Sequence, residues 1–452
     1  MKKNDLCAKA VTIALAMAMA CVTLTGCADS AASENKPAET APTESVVDTK
    51  NDEADETDGA QEIVEEPTGD VVEATEDEAD AAAQETLTDE VSYEPIPDIE
   101  FEKVVNDTRD EDNNWLMQSY YFKINVKNDG FEELKASLDE YATQAGESVN
   151  MDVDTMLADM DSDMKAAYLP SVDYPVFSST TEPIPTRIDA SIVSIMDLSY
   201  FFSGGAHGNY GYIGCNFDSK TGSKLMMADV FEDTDAFLAF AKEEIKSQLE
   251  EINTEEGILF EDYAATVDAI RTDSDFWVLD GTGFRYIFNP YEVGPYATGA
   301  VEATISYEKI TPYIKSEYLP NGNMIAAVRV GDEACCSLVN GLYPRVENDG
   351  EMYTTDGNTY LYVGDTRETI SERAYSNEAY VVNRNGASYI LIDYCTDTEH
   401  CCVYDVTDGA VRKTFETVDE QIVPQGISMD GFRISPARMI DDSDYVSWNE
   451  AM

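Results

Sequence analysis

Two histidines, His207 and His400, nine cysteines and 90 carboxylates are the side chains with chemistry to offer in this 452-residue sequence. The histidine count alone excludes a His-Glu-x-x-His zinc protease, because no two histidines lie on one helical turn. A Ser-His-Asp triad would have to use His207 or His400, and the sequence holds no Gly-x-Ser-x-Gly elbow. His400 sits beside Cys395-x5-Cys401-Cys402, a cluster open to three readings: thiols used as small apolar residues, disulfides that also involve Cys335 and Cys336, or a metal. Vicinal cysteines on a strand point to opposite faces, which works against joint chelation there. Carboxylate pairs for sugar hydrolysis carry no information at this acidity, since some pair always exists. Asp218, Asp229 and Glu292 are candidates for hydrogen bonds or a cation, and no loop has EF-hand spacing. The sequence points to no cofactor, no metal site and no catalytic residue.

The aromatic residues are more informative. Tyr200, Tyr210, Tyr212, Tyr286, Tyr291 and Tyr296 fall around two polar, glycine-rich stretches, Ser203 to Asn209 and Asn289 to Gly299. Tyrosines on an exposed sheet face stack on sugar rings or anchor a protein partner. Packed between sheet and helices with hydroxyls at the rim, they serve the core instead. His207 has the same two readings: displayed by its turn for function, or anchoring it by a hydrogen bond to backbone. Gly204 and Gly205 supply the unusual φ/ψ of that turn.

At the N-terminus, Lys2, Lys3 and Lys9 precede an apolar run from Ala10 to Leu24 that is short for a membrane span. It ends in Leu24-Thr25-Gly26-Cys27, which matches the lipobox of bacterial lipoproteins. The Cys27 thiol is then the atom that receives lipid, a palmitate-bearing anchor, once the signal peptide is cut. Residues 28 to 95 follow as an acidic linker, with 22 Asp and Glu against two Lys up to residue 90. Lacking aromatics before Tyr93 and any apolar period, this segment cannot offset its ordering entropy and is expected to be disordered. Its reach as a flexible coil is roughly 45 Å. The expected location is the outer face of the bacterial cell membrane, held there by the lipid.

The net charge is -61. That disfavours nucleic acid, which needs clustered Lys and Arg, and steers the protein toward cationic partners. Periodicity then supplies the elements that must carry the tyrosines. Trp115 to Val126 alternates as a strand. Phe131, Leu134, Leu138 and Tyr141 recur at helical spacing, and a second helical pattern runs from Val153 to Tyr168. Strands are expected at Asp173 to Thr181 and Thr186 to Phe202, broken by Glu182-Pro183-Ile184-Pro185, and at Tyr210 to Phe217. Thr234 is the expected N-cap of a helix carrying Phe237, Leu238, Ala241, Ile245 and Leu249, with a shorter helix around Tyr263 to Ile270. Phe276 to Leu279 and Phe284 to Phe288 flank a hairpin turn at Asp280-Gly281-Thr282-Gly283, and Val301 to Ser306 is a further strand. From about residue 323 only short strand-like runs remain, among them Met324 to Val330, Tyr360 to Val363, Ala379 to Val382, Tyr389 to Asp393 and Cys402 to Asp405. The expected fold is α+β, an antiparallel sheet with packed helices over 96–320, followed by a smaller all-β C-terminal domain over 321–452.

Gly204-Gly205-Ala206-His207, the Thr221-Gly222 turn, Met227-Ala228-Asp229-Val230-Phe231 and Tyr291-Glu292-Val293-Gly294-Pro295-Tyr296-Ala297 follow one another over about residues 100 to 317. In order and spacing they resemble the extracytoplasmic domain of the RsiV-like family. Members include lysozyme-sensing anti-sigma factors, cell-wall deacetylases and lipoproteins. No cytoplasmic segment that could hold a sigma factor and no deacetylase domain is expected from these residues, so the resemblance is expected to carry over the outer, binding module. The resemblance implies a non-catalytic, lipid-anchored protein of the cell surface that binds peptidoglycan glycan or a cationic protein such as lysozyme. His207, Tyr200, Tyr210, Tyr212, Tyr286, Tyr291, Glu292 and Tyr296 are the candidates for contact. The alternative is a cell-wall-modifying hydrolase using acidic residues.

Overall fold

The computed structural model describes residues 93–160, 175–331, 335–350 and 356–452. Cys27, the linker up to residue 92, the end of the second helical pattern at Met164 and Tyr168, and the strand start at Asp173 lie outside these residues. The fold is α+β: a large, mainly antiparallel sheet, few helices, and smaller all-β sheets toward the C-terminus.

In chain order the elements are β1 (Ile99–Val105), β2 (Thr108–Arg109), β3 (Trp115–Val126), α1 (Glu132–Asp159), β4 (Phe177–Asp189), β5 (Ile192–Phe202), β6 (Asn209–Asp218) and α2 (Thr234–Glu256). There follow β7 (Trp277–Leu279), β8 (Gly283–Phe288), β9 (Val301–Ser306), β10 (Met324–Val328), β11 (Pro344–Asn348), β12 (Asn358–Val363) and β13 (Thr366–Glu372). The chain closes with β14 (Tyr375–Arg384), β15 (Ala387–Cys395), β16 (Glu399–Asp405), β17 (Arg412–Val418), β18 (Gln421–Ile422), β19 (Gly431–Ser435) and β20 (Asp444–Ser447).

The main sheet has the order β1-β3-β4-β10-β14-β15-β16-β17, with β5 and β6 continuing from the other edge of β4. Strands on either side of residue 320 therefore share hydrogen bonds, because β4 pairs with β10 through Met324↔Asp189 to Ala326↔Arg187. Three further sheets, β7-β8-β9, β11-β12-β13 and β18-β19-β20, each have three strands.

Alternation along the main strands divides the apolar residues between two cores. Ala379, Val381, Ile390, Ile392 and Cys402 join one with α2 and β7–β9. Tyr380, Val382, Tyr389, Leu391 and Cys401 join the other with α1 and β18–β20. Cys401 and Cys402 thus point to opposite faces, as period-two geometry requires. All six cysteines among the described residues are free thiols, and only Cys395 is not buried, so the pairing of the vicinal cysteines into disulfides does not occur. No helix among the described residues is long and apolar enough to cross a membrane.

Two expectations are corrected. The two helical patterns are one helix over its described length, α1, because Leu134, Leu138, Ala142, Gly146, Val149, Val153 and Met156 keep one buried stripe through the small residues between them. The proline pair does not end a strand either: β4 runs through it. Pro183 O accepts from Gln425 Nε2 at 3.0 Å, so the backbone groups of residue 183 face away from β5. On that edge β3 reaches only to Thr180 and β10 begins at Arg187. A missing N–H costs nothing where no strand waits for it. Pro185, two residues on, has the same orientation, and the register shifts beside it.

α2 is capped by Asp233, whose carboxylate accepts from Ala236 N, rather than by Thr234. It ends at Gly257 with φ +66°. Its buried face carries Phe237, which stacks on Phe231 at 3.4 Å; full burial of such a ring is worth about 2–3 kcal/mol. On the same helix, Gln248 bonds both Thr304 N and Thr304 O, pairing the free edge of β9 as a strand would. β7 crosses β6 so closely that a Cβ at Gly214 would lie 1.9 Å from Trp277 O. This contact sets the β5–β6 hairpin against β7–β9, and it is the end of that hairpin that carries the candidate residues.

Candidate functional site

The β5–β6 hairpin pairs Tyr200 with Tyr210 and Leu198 with Tyr212. Its turn, residues 203–208, holds Gly204 and Gly205 at φ +100° and +111°, a region closed to most side chains. The turn presents His207 at the surface. The imidazole lies flat on Tyr296, with ring centroids 3.8 Å apart and planes 17° from parallel. His207 Nδ1 is 2.9 Å from Gly208 O, which makes Nδ1 the protonated ring nitrogen, and the Tyr296 hydroxyl donates to the same carbonyl at 2.7 Å. Gly208 is itself buried under the Tyr200 ring, whose hydroxyl oxygen would be 2.4 Å from a Cβ placed there.

The second stretch closes on this hairpin from the side. Asn289 Oδ1 accepts from Tyr212 N at 2.6 Å and Asn289 Nδ2 donates to Tyr212 O at 3.1 Å, so a side-chain amide occupies the edge of β6. Glu292 N donates to Asn289 O at 3.0 Å, closing the turn Asn289-Pro290-Tyr291-Glu292. Glu292 Oε2 accepts from Asn289 N at 2.8 Å, and burial pushes its carboxyl pKa up. Glu292 therefore holds the turn. Tyr291, at its third position, has φ +73° and is 56% exposed. That position in a turn with proline before it normally carries Gly or Asn.

The structure therefore divides the candidates. Tyr291 stands 5.7 Å from Tyr296, and Tyr210 meets Tyr296 edge-on at 6.0 Å. With His207 and Tyr200 they form an aromatic platform at the tip of the hairpin. Tyr210 is fixed by Ala300 N, which donates to its hydroxyl at 3.2 Å. Burial raises the hydroxyl pKa values of Tyr200, Tyr210 and Tyr296, keeping them neutral donors. Tyr212 and Tyr286 belong to the core instead, at 3% and 5% exposure. Tyr286 bonds Ser274 inside the protein at 3.1 Å. Of the carboxylates proposed from sequence, Asp218 Oδ1 accepts from Lys220 N and Thr221 N in its own turn, and Asp229 caps Met226 N. His400 lies elsewhere, stacked on Tyr394 at 4.7 Å with Thr396 and Thr398 on its Nε2. Among the described residues no group of three or more His, Cys, Asp or Glu is placed to hold a metal ion.

Sequence reasoning missed Gly208 and Asn289. The first is the shared acceptor that orients both His207 and Tyr296; the second ties the two stretches together. The only signal for Asn289 was its place ahead of Pro290, which marks a turn but not a contact 77 residues away.

The α+β scaffold thus displays an aromatic platform on a hairpin tip and an adjoining turn. Residues 228–308 match the model of a family described as protein of unknown function (DUF3298). Two solved structures are similar. One is a DUF3298 family protein from Pseudomonas aeruginosa PAO1, 18% identical, with 50% of this chain and 98% of that one covered at a TM-score of 0.38. The other is a DUF3298 family member from Bacteroides fragilis NCTC 9343, 18% identical, with 49% and 94% covered at a TM-score of 0.36. No curated protein matches the sequence.

Proposed function

We propose that this is a lipid-anchored protein of the cell surface that binds a cell-envelope ligand, a wall glycan, on the platform formed by His207, Tyr291, Tyr296, Tyr200 and Tyr210. The observation that carries the reading is Tyr291: a bulky, exposed side chain held at φ +73°. A non-glycine residue in that region costs roughly 1–2 kcal/mol, and exposed strain of this kind is retained where it serves a site. The ring adds little to the core, so what the strain secures is an aromatic face turned to solvent beside two others. Such faces stack on the apolar side of sugar rings. The lipobox at Cys27 and the resemblance to RsiV-like outer domains support the location and the class of ligand.

A second reading is favoured by the net charge of -61: a cationic protein such as lysozyme, drawn by the field and anchored on the same rings. A hydrolase reading gains nothing from Glu292, whose carboxylate is spent on Asn289 N.

The test is co-sedimentation of the full chain with insoluble peptidoglycan and titration with lysozyme, each at low and physiological salt. The glycan reading expects sedimentation that survives salt and falls at least tenfold in Tyr291→Ala and Tyr296→Ala. Lysozyme binding that survives salt, without sedimentation, would replace it with the second reading. For the anchor, Cys27→Ala should release the protein from membranes and abolish incorporation of labelled palmitate.

A further inference from the structure

The reading above leaves open which part of a glycan the platform takes; the edge of β6 narrows it. Outward-facing backbone groups on that edge recur at every second residue. Tyr212 N and O are bonded to Asn289, Gly214 N donates to Asp275 O at 2.7 Å, and Asn216 O accepts from Leu225 N at 2.7 Å. At the other end, Gly208 O is taken by Tyr296 and His207. By the same alternation, Tyr210 N–H and C=O also face outward, and among the described residues nothing bonds them. They form a notch one residue long. Asn289 closes it on one side and the Tyr296 ring, 6.0 Å from the Tyr210 ring, on the other.

Resting on the glycan reading, we propose that this notch takes the end of a sugar chain, a terminal pyranose presenting two adjacent free hydroxyls. One hydroxyl oxygen accepts from Tyr210 N–H, its neighbour donates to Tyr210 C=O, and the sugar ring lies against Tyr296 and Tyr291. Side by side, one donor and one acceptor match such a diol. An added β-strand is excluded by the blocked positions at Gly208 and Tyr212: it needs groups open at i and i+2, and only one position is open. A residue inside a β-1,4-linked N-acetylglucosamine chain has no such pair, because position 4 is in linkage and position 2 carries the acetamide. The non-reducing end has it at positions 3 and 4.

The experiment uses the full chain and compares the methyl glycoside of chitotetraose, intact and cleaved by mild periodate; with the reducing end locked, the terminal 3,4-diol is the one vicinal diol that periodate opens. The expected result is a Kd at least tenfold weaker for the cleaved sugar, equal Kd values for the intact dimer, tetramer and hexamer, and slowed hydrogen exchange at the Tyr210 amide when the intact sugar binds. Equal binding of the cleaved and intact sugars, affinity that climbs with chain length, or unchanged exchange at Tyr210 would overturn the end-recognition and leave the glycan reading standing. Displacement of chitotetraose by an extended acetylated pentapeptide on equal terms would also overturn it, in favour of strand addition. No binding of any chitooligosaccharide or of peptidoglycan would overturn both.

Discussion

Asp197→Asn should make the protein more stable at neutral pH and less stable in acid, and the structure gives the size of both effects. Asp197 lies on β5, three residues before Tyr200, where α1 packs on the sheet. One carboxylate oxygen accepts from the Tyr141 hydroxyl at 2.5 Å and the other is buried without a partner. Burial, opposed by the Tyr141 bond and reinforced by Glu182, raises its pKa from 3.8 to about 6. Because the folded pKa lies above the unfolded one, folding takes up a proton between the two values. The cost of holding the ionised form is absent below about pH 4 and fully present above about pH 6. A shift of roughly two units corresponds to about 3 kcal/mol. Asparagine removes that cost and keeps an acceptor for Tyr141, but buries an NH2 group without a partner for about 1 kcal/mol. The net expectation is a gain of about 2 kcal/mol at pH 7.5 and a loss of about 1 kcal/mol at pH 3.5, with the curves crossing at about pH 4.5. Urea unfolding at half-unit pH steps measures this, since the other carboxylates cancel in the difference. A difference between parent and variant that does not change with pH would refute the reasoning, whatever its sign.

Tyr291→Gly should raise stability by about 1 kcal/mol in thermal unfolding while weakening peptidoglycan sedimentation, because glycine accepts the positive φ and offers no ring. Lower stability would mean that Tyr291 is a packing residue. Gly214→Ala should destabilise by about 3 kcal/mol or prevent folding, since its Cβ would meet Trp277 O at 1.9 Å; soluble, cooperative unfolding at the parental midpoint would contradict the packing. Glu302→Gln should cost about 3 kcal/mol in urea unfolding, because it removes a buried carboxylate that is bonded to Arg329 at 2.8 Å and lies 3.6 Å from Arg285; an unchanged midpoint would contradict this. In native protein Cys395 should alkylate first and slowly, its thiol pushed up to about 11 by burial, with the other five described thiols reacting only in denaturant; mass mapping of the first adduct decides this.

Local pattern carried much of the fold. The strand at Trp115–Val126, the Asp280 hairpin, and the strands around Met324, Ala379, Tyr389 and Cys402 followed from period-two alternation and turn chemistry, because both depend only on neighbours in the chain. So did the opposed faces of Cys401 and Cys402. What the sequence could not decide was non-local. Pro183 is harmless in β4 only because β3 and β10 leave that stretch of edge empty, and Ala142 and Gly146 carry α1 onward because the sheet offers a surface for their stripe. The tyrosines show the limit best. Six residues of one type around two stretches looked alike, yet Tyr212 and Tyr286 are core residues, Tyr291 faces solvent, and Tyr296 lies half-buried with His207 stacked on it. Which ring is buried depends on the crossing of β7 over β6 and on Asn289 reaching Tyr212 across 77 residues. The chain alone thus set the local conformations. Tertiary contacts alone set which edge stays open and which aromatic face is displayed, because burial and pairing belong to partners far apart in sequence.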